Sequence, residues 1–156
     1  MQVSRFTDFS LRALLYLAIN DSKRATLAEI AAFYPVSLDH LRKVVHELSR
    51  AGFVRTYQGK TGGIELGRDP AGIRIGDVVR HFEAHDSFIN CHGLGCRLAA
   101  VCTLKTILDE GQEALFESLN RYTLADLVNA RPAMVRELYN PDPPGSVPVI
   151  VQPLKE

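Results

Sequence analysis

The spacing of apolar residues along this chain changes period abruptly at Gly52. Before it, Leu38, Leu41, Val44, Val45 and Leu48 recur at helical intervals. After it, Phe53-Val54-Arg55-Thr56-Tyr57 and Ile64-Glu65-Leu66 follow a period near two. A helix that stops at one glycine and gives way at once to paired strands leaves few architectures open. The Gly59-Lys60-Thr61-Gly62-Gly63 tip is glycine-rich enough to reverse the chain, so the segment reads as a β-hairpin. Gly52 suits the left-handed position after a helix, with Phe53 folding back on Leu48.

The elements around this switch complete the pattern. A first helix is expected to start at Thr7, with Phe6 and Leu11 as a hydrophobic staple and Leu11, Leu14, Leu15 and Ala18 as its stripe. Asn20-Asp21-Ser22 ends it. Thr26-Leu27-Ala28-Glu29 is a capping box that opens a short helix carrying Ile30 and Ala31 and ending near Tyr34-Pro35. Ser37 caps the next helix, with Val36 and Leu41 as its staple. Two short helices across a Pro-containing turn, followed by a hairpin, predict a winged helix-turn-helix.

Downstream, residues 73–84 read as a helix carrying Ile75, Val78, Val79 and Phe82. A long helix from Thr103 carries Leu104, Leu108, Gly111, Leu115 and Leu119, a narrow seam that suits a partner helix or a contact within the chain. Thr123 caps a last short helix through Val128. The expected class is mainly α with a small β-hairpin wing: a winged helix-turn-helix domain plus a long dimerisation helix. The expected divisions are a DNA-binding domain over 1–84, a cysteine loop over 85–102, and the long and short helices over 103–130. Residues 131–156 hold six of the eight prolines and read as an extended or disordered tail.

Composition narrows the function classes. No apolar run approaches the roughly 18 residues of a membrane span. Arg5, Asp8 and Arg12 interrupt any signal-peptide core, which implies a cytoplasmic protein that does not engage membranes. The 156-residue chain has no net charge. Its first 85 residues nevertheless carry 12 Lys/Arg against 9 Asp/Glu, and the remainder 6 against 9. The outward face of the helix after Ser37 offers Ser37, Asp39, His40, Arg42, Lys43, His46 and Arg50. Its N-terminal members are placed to reach base edges in a DNA major groove. Arg55 and Lys60 on the hairpin would meet phosphates or the minor groove, and Gly62 lets backbone approach closely. No nucleophile paired with a general base is evident, and an enzyme is not expected.

The three cysteines form one cluster, Cys91-x4-Cys96-x5-Cys102. An odd number of crowded cysteines makes a poor disulfide framework. Structural zinc sites pair two close cysteines with a second pair, and no second pair exists here. Iron–sulfur clusters accept wider spacing in an apolar, sheltered loop, for which Leu94, Leu98 and Val101 are available. Three thiolates leave one iron needing another ligand, from His92 or from a carboxylate elsewhere. On spacing alone an iron–sulfur cluster, a zinc site and redox thiols all remain open.

Read in order, FTDFSLRALLYLA at 6–18, LSRAGFV at 48–54, GKTGGIELG at 59–67, IRIGDVVR at 73–80, the cysteine loop and YTLADLV at 122–128 closely resemble the Rrf-type iron–sulfur winged-helix family. Within that family the likeness is to its nitric-oxide-sensing repressors, and it runs to about residue 129. The resemblance implies a homodimer on double-stranded operator DNA, released when nitric oxide attacks its iron–sulfur cluster. It implies Cys91, Cys96 and Cys102 as cluster ligands and Asp8, from the opposite subunit, as the fourth. Whether the cluster is 4Fe–4S or 2Fe–2S does not follow from three cysteines. Read locally, Asp8 favours the dipole of the first helix and pairs with Arg12 at i+4. A sibling that senses iron–sulfur supply, and a zinc or thiol module that does not bind DNA, are the alternatives.

Overall fold

The protein is described here by a computed structural model covering residues 3–20, 24–59, 62–83, 88–89, 91, 95–129 and 136. Helix α1 (Arg5–Ile19) is capped by Ser4, whose hydroxyl accepts from the Thr7 N–H. The cap expected at Thr7 is therefore three residues late. Thr7 is fully buried, and its hydroxyl donates to Glu83. A threonine with a tertiary partner looks in sequence like a cap.

Helix α2 (Leu27–Phe33) opens with the Thr26–Glu29 capping box, both reciprocal bonds being present. Helix α3 (Leu38–Arg50) is capped by Ser37, whose side chain accepts from the His40 N–H. Its buried stripe is Leu41, Val44, Val45 and Leu48; Leu38, expected inward, is 45% exposed. Val36, just ahead of the cap, packs against the core in this turn, whereas Leu38 faces out. The helix ends in a Schellman motif. Phe53 N–H donates to Leu48 C=O at 2.9 Å, Gly52 N–H to Ser49 C=O at 3.0 Å, and Gly52 takes φ 74°. Arg68 adds a bond to the Ala51 carbonyl at 3.1 Å and lies over the Phe53 ring.

Strands β1 (Val54–Tyr57) and β2 (Gly63–Leu66) pair antiparallel, with Val54 opposite Leu66 and Tyr57 opposite Gly63. Ala25 adds a bridge to Ile64 on the far side of β2, through bonds of 3.0 and 2.7 Å. The wing is thereby fixed to the residue preceding the α2 cap. One core of Leu14, Leu17, Ile30, Leu41, Val44, Leu48, Val54, Ile64, Ile73, Val78 and Leu124 joins all these elements.

Helix α4 (Ile75–Glu83) follows a 3-10 turn at Pro70–Gly72. Helix α5 (Thr103–Leu119) packs on α4 through the buried Phe116, and Arg80 pairs with Glu113 while lying 4.7 Å from the Phe116 ring centroid. Helix α6 (Leu124–Asn129) is capped reciprocally by Thr123 and Asp126. It is tied back by Leu124 N–H to Ile73 C=O and Ile75 N–H to Tyr122 C=O. The mainly helical class with a two-stranded hairpin matches the sequence reading. The tail expected over 131–156 lies outside the described residues, Arg136 excepted. Among the described residues no helix is long and apolar enough to cross a membrane.

Candidate nucleic-acid interface and cysteine loop

Inward anchoring of α3 decides which of its side chains face out. Leu41, Val44, Val45 and Leu48 turn to the core, so Asp39, Arg42, Lys43, His46 and Arg50 are exposed. Two of the cations are paired at i,i+3: Arg42 with Asp39 at 2.6 Å and Arg50 with Glu47 at 3.1 Å. Ser37 is exposed at the cap. His40 departs from the expected outward face. Its ring packs 5.2 Å from Phe9 and 6.2 Å from Phe6, with Nε2 buried and unbonded among the described residues. Position 40 follows the cap by three residues, and there α3 leans against α1 rather than solvent.

A groove of about 460 Å³ separates α3 from the wing. Arg42, Val45, His46 and Ser49 line one wall, and Thr56, Tyr57, Gly59, Gly62 and Gly63 the other. Arg55 is exposed on β1, opposite Glu65. Lys60 lies outside the described residues. The wing base is fixed by a cluster that the sequence did not signal. Tyr57 Oη donates to Glu65 at 2.6 Å, Arg24 Nε bonds the same carboxylate at 3.1 Å, and the Arg24 guanidinium lies 3.5 Å from the Tyr57 ring centroid. The Tyr57 hydroxyl and Arg24 hold the Glu65 carboxyl below its ordinary range.

The second constellation begins at α1. Asp8 is half-buried in the first turn and bonded to Arg12 Nε at 2.7 Å, as the local reading expected. Arg12 in turn lies over the Tyr34 ring at 5.6 Å. One residue earlier, Thr7 ties this turn to Glu83, which also accepts from the Ser4 N–H at 3.0 Å. Glu83 is the last residue of α4, just ahead of the cysteine loop. Burial works against its charge, but the Thr7 and Ser4 donors outweigh it, so its pKa lies below the ordinary value. A depressed acid pKa stabilises the fold fully above the unfolded value of 4.5, and the contribution is lost as pH falls through the folded value. Glu83→Gln should therefore unfold more easily than wild type at pH 7, with the gap narrowing below about pH 4.5. Urea titrations at pH 7 and pH 3.5 measure this, and a gap that widens in acid contradicts it.

Cys91 is buried, Cys102 is half-buried at the N-cap of α5, and Cys96 is exposed, its N–H bonded to the Cys91 carbonyl at 3.1 Å. Lys105, one turn into α5, bonds Asp109 and is further favoured in its charged form by Cys91 and Cys102. His92, the expected alternative ligand, lies outside the described residues. In kind, three thiols on one short loop suit an iron–sulfur cluster better than a tetrahedral zinc site. Among the described residues, however, no three His, Cys, Asp or Glu side chains converge on a metal-sized site. Beside the loop, Leu98, Val101, Leu104 and Ile107 are exposed, Val101 by 78%. The seam expected on α5 is not buried by its own chain: Leu104 is exposed, and Leu108, Leu115 and Leu119 are half-buried.

The family model described as "Rrf2: Iron-dependent Transcriptional regulator" matches residues 3–130. The chain is similar to the solved structure of T. potens IscR, with 25% identity and a TM-score of 0.67 over 83% of this chain and 88% of that one. It is also similar to CymR (YrzC), the global cysteine regulator of B. subtilis, with 27% identity and a TM-score of 0.64 over 83% and 98%. Staphylococcus aureus CymR shares the fold, at 24% identity and a TM-score of 0.63 over 80% and 96%.

Proposed function

Because the chain belongs to the Rrf2 family of transcriptional regulators, we propose that it is a repressor of the NsrR kind. It binds operator DNA as a homodimer, holds an iron–sulfur cluster and leaves DNA when nitric oxide reaches that cluster. The observation that carries this reading is a winged helix with an exposed cationic helix face, joined in one chain to three thiols on a single loop. The Cys91-x4-Cys96-x5-Cys102 spacing and the YTLADLV segment favour nitric oxide over iron–sulfur supply as the signal.

In this reading α3 enters the major groove with Ser37 and Asp39 leading. Lys43 and the wing contact phosphates. Cys91, Cys96 and Cys102 hold the cluster, and Asp8 of the partner subunit completes the set. When bound, the cluster supplies an iron that nitric oxide can attack. Asp8 then has two alternative engagements, the partner's loop or its own Arg12. Thr7 and Glu83 hold the turn that carries Asp8 close to the start of the loop of its own chain. The exposed Leu104 and the half-buried Leu108, Leu115 and Leu119 are the surface offered to a second copy.

The test is an anaerobic mobility-shift titration on a duplex selected by the protein, followed by nitric oxide. The expected result is a complex of two protomers per duplex that is lost on adding nitric oxide. A complex that persists in nitric oxide overturns the signal, and failure to bind any duplex overturns the regulator. Lys43→Ala should reduce the slope of log affinity against log salt by about one unit.

A further inference from the structure

Resting on that reading, we infer that Asp39 and Arg42 form one reading unit for a guanine in the operator half-site, with Asp39 as the residue that positions Arg42. An acidic residue on a DNA-facing helix is a liability unless its charge is directed away from phosphates. Asp39 stands two residues past the Ser37 cap, in the turn that enters the groove first, and its side chain is 87% exposed. It stands in the first turn, where a carboxylate also complements the helix dipole, while the capping bond from the His40 N–H is already taken by Ser37. Its recorded partner is Arg42, at 2.6 Å from Nη1.

That bond uses one of the five N–H donors of the guanidinium, and the side chain remains 63% exposed. A planar fork fixed by a carboxylate at i−3 loses less freedom on docking than a free arginine. Its remaining parallel donors match the paired O6 and N7 acceptors of guanine, which no other base presents in the major groove. Asp39 keeps its second oxygen as an acceptor, which suits the N4 amino group of a neighbouring cytosine and repels a phosphate. His46 continues the same ridge, four residues after Arg42, and is exposed. Lys43, an exposed point charge without a planar fork, suits a phosphate instead.

The experiment is selection from a randomised duplex library with anaerobically isolated full-length protein, for wild type, Arg42→Gln and Asp39→Asn. Both sites are solvent-facing, and circular dichroism checks that the variants fold. Wild type should enrich a half-site with guanine at one fixed position. Arg42→Gln should lose discrimination there by about ten- to a hundred-fold while other positions hold. Asp39→Asn should keep the guanine with reduced discrimination and relax the adjacent position. If Arg42→Gln weakens all sequences equally, Arg42 contacts a phosphate and the inference falls. If Asp39→Asn matches wild type at every position, the positioning role falls. A wild type that enriches no sequence refutes the regulator reading itself, a result distinct from both.

Discussion

Gly76→Val should destabilise the protein by about 3 kcal/mol, a fall in melting temperature of about 10 °C. Gly76 sits in the first turn of α4, where α5 crosses it. A Cβ built there would collide with the main-chain carbonyl oxygen of Phe116 and lie 2.5 Å from Asn120 Oδ1. Backbone cannot swing aside as a side-chain tip can, so α5 would have to retreat. That retreat would open the contact made by the buried Phe116 and strain the Arg80–Glu113 pair. Gly72, just ahead of α4, is the control: nothing lies within 4 Å of its added Cβ. Gly72→Ala should therefore be neutral to within about 1 kcal/mol. Thermal melts by circular dichroism separate the two, and equal melting of Gly76→Val and wild type would contradict the α4–α5 packing.

The second large effect concerns the thiols. Cys91→Ser, Cys96→Ser and Cys102→Ser should each give colourless protein without bound iron, and each should lower operator affinity by about 100-fold. Serine nearly preserves the volume of cysteine, so the far-ultraviolet spectrum should stay that of wild type. The loss then reads the ligand chemistry rather than the fold. The three sites differ in burial, from the covered Cys91 to the open Cys96, so equal loss from all three points to a shared cofactor rather than to packing. Retention of iron in any one variant would remove that cysteine from the ligand set. Stoichiometric zinc in wild type would replace the cluster with a structural metal.

The sequence made local features legible and tertiary ones not. The Thr26–Glu29 box, the Ser37 cap and the Gly52 stop are each set by residues within a few positions of one another, and each stands where expected. The hairpin was visible because a change of period needs no knowledge of the rest of the chain. Thr7 misled because a buried hydroxyl answering Glu83, 76 residues away, has the same local appearance as a cap. His40 misled similarly. A polar residue at the third helical position reads as exposed until the angle at which α1 crosses α3 is known.

Arg68, which bonds the end of α3 from 17 residues away, and the Arg24–Tyr57–Glu65 cluster carry no periodic signal at all. The cysteine spacing stood out at once. The proposed convergence of those cysteines with Asp8 would lie between two chains; among the described residues of one protomer no three potential ligands converge.

The most direct measurement is operator affinity across one anaerobic preparation reconstituted to graded iron and sulfide content per protomer. The account predicts that affinity rises with loading, and that the fully loaded sample loses it when nitric oxide is added. Iron-free protein that binds the operator as tightly as the loaded form, and is indifferent to nitric oxide, would contradict it.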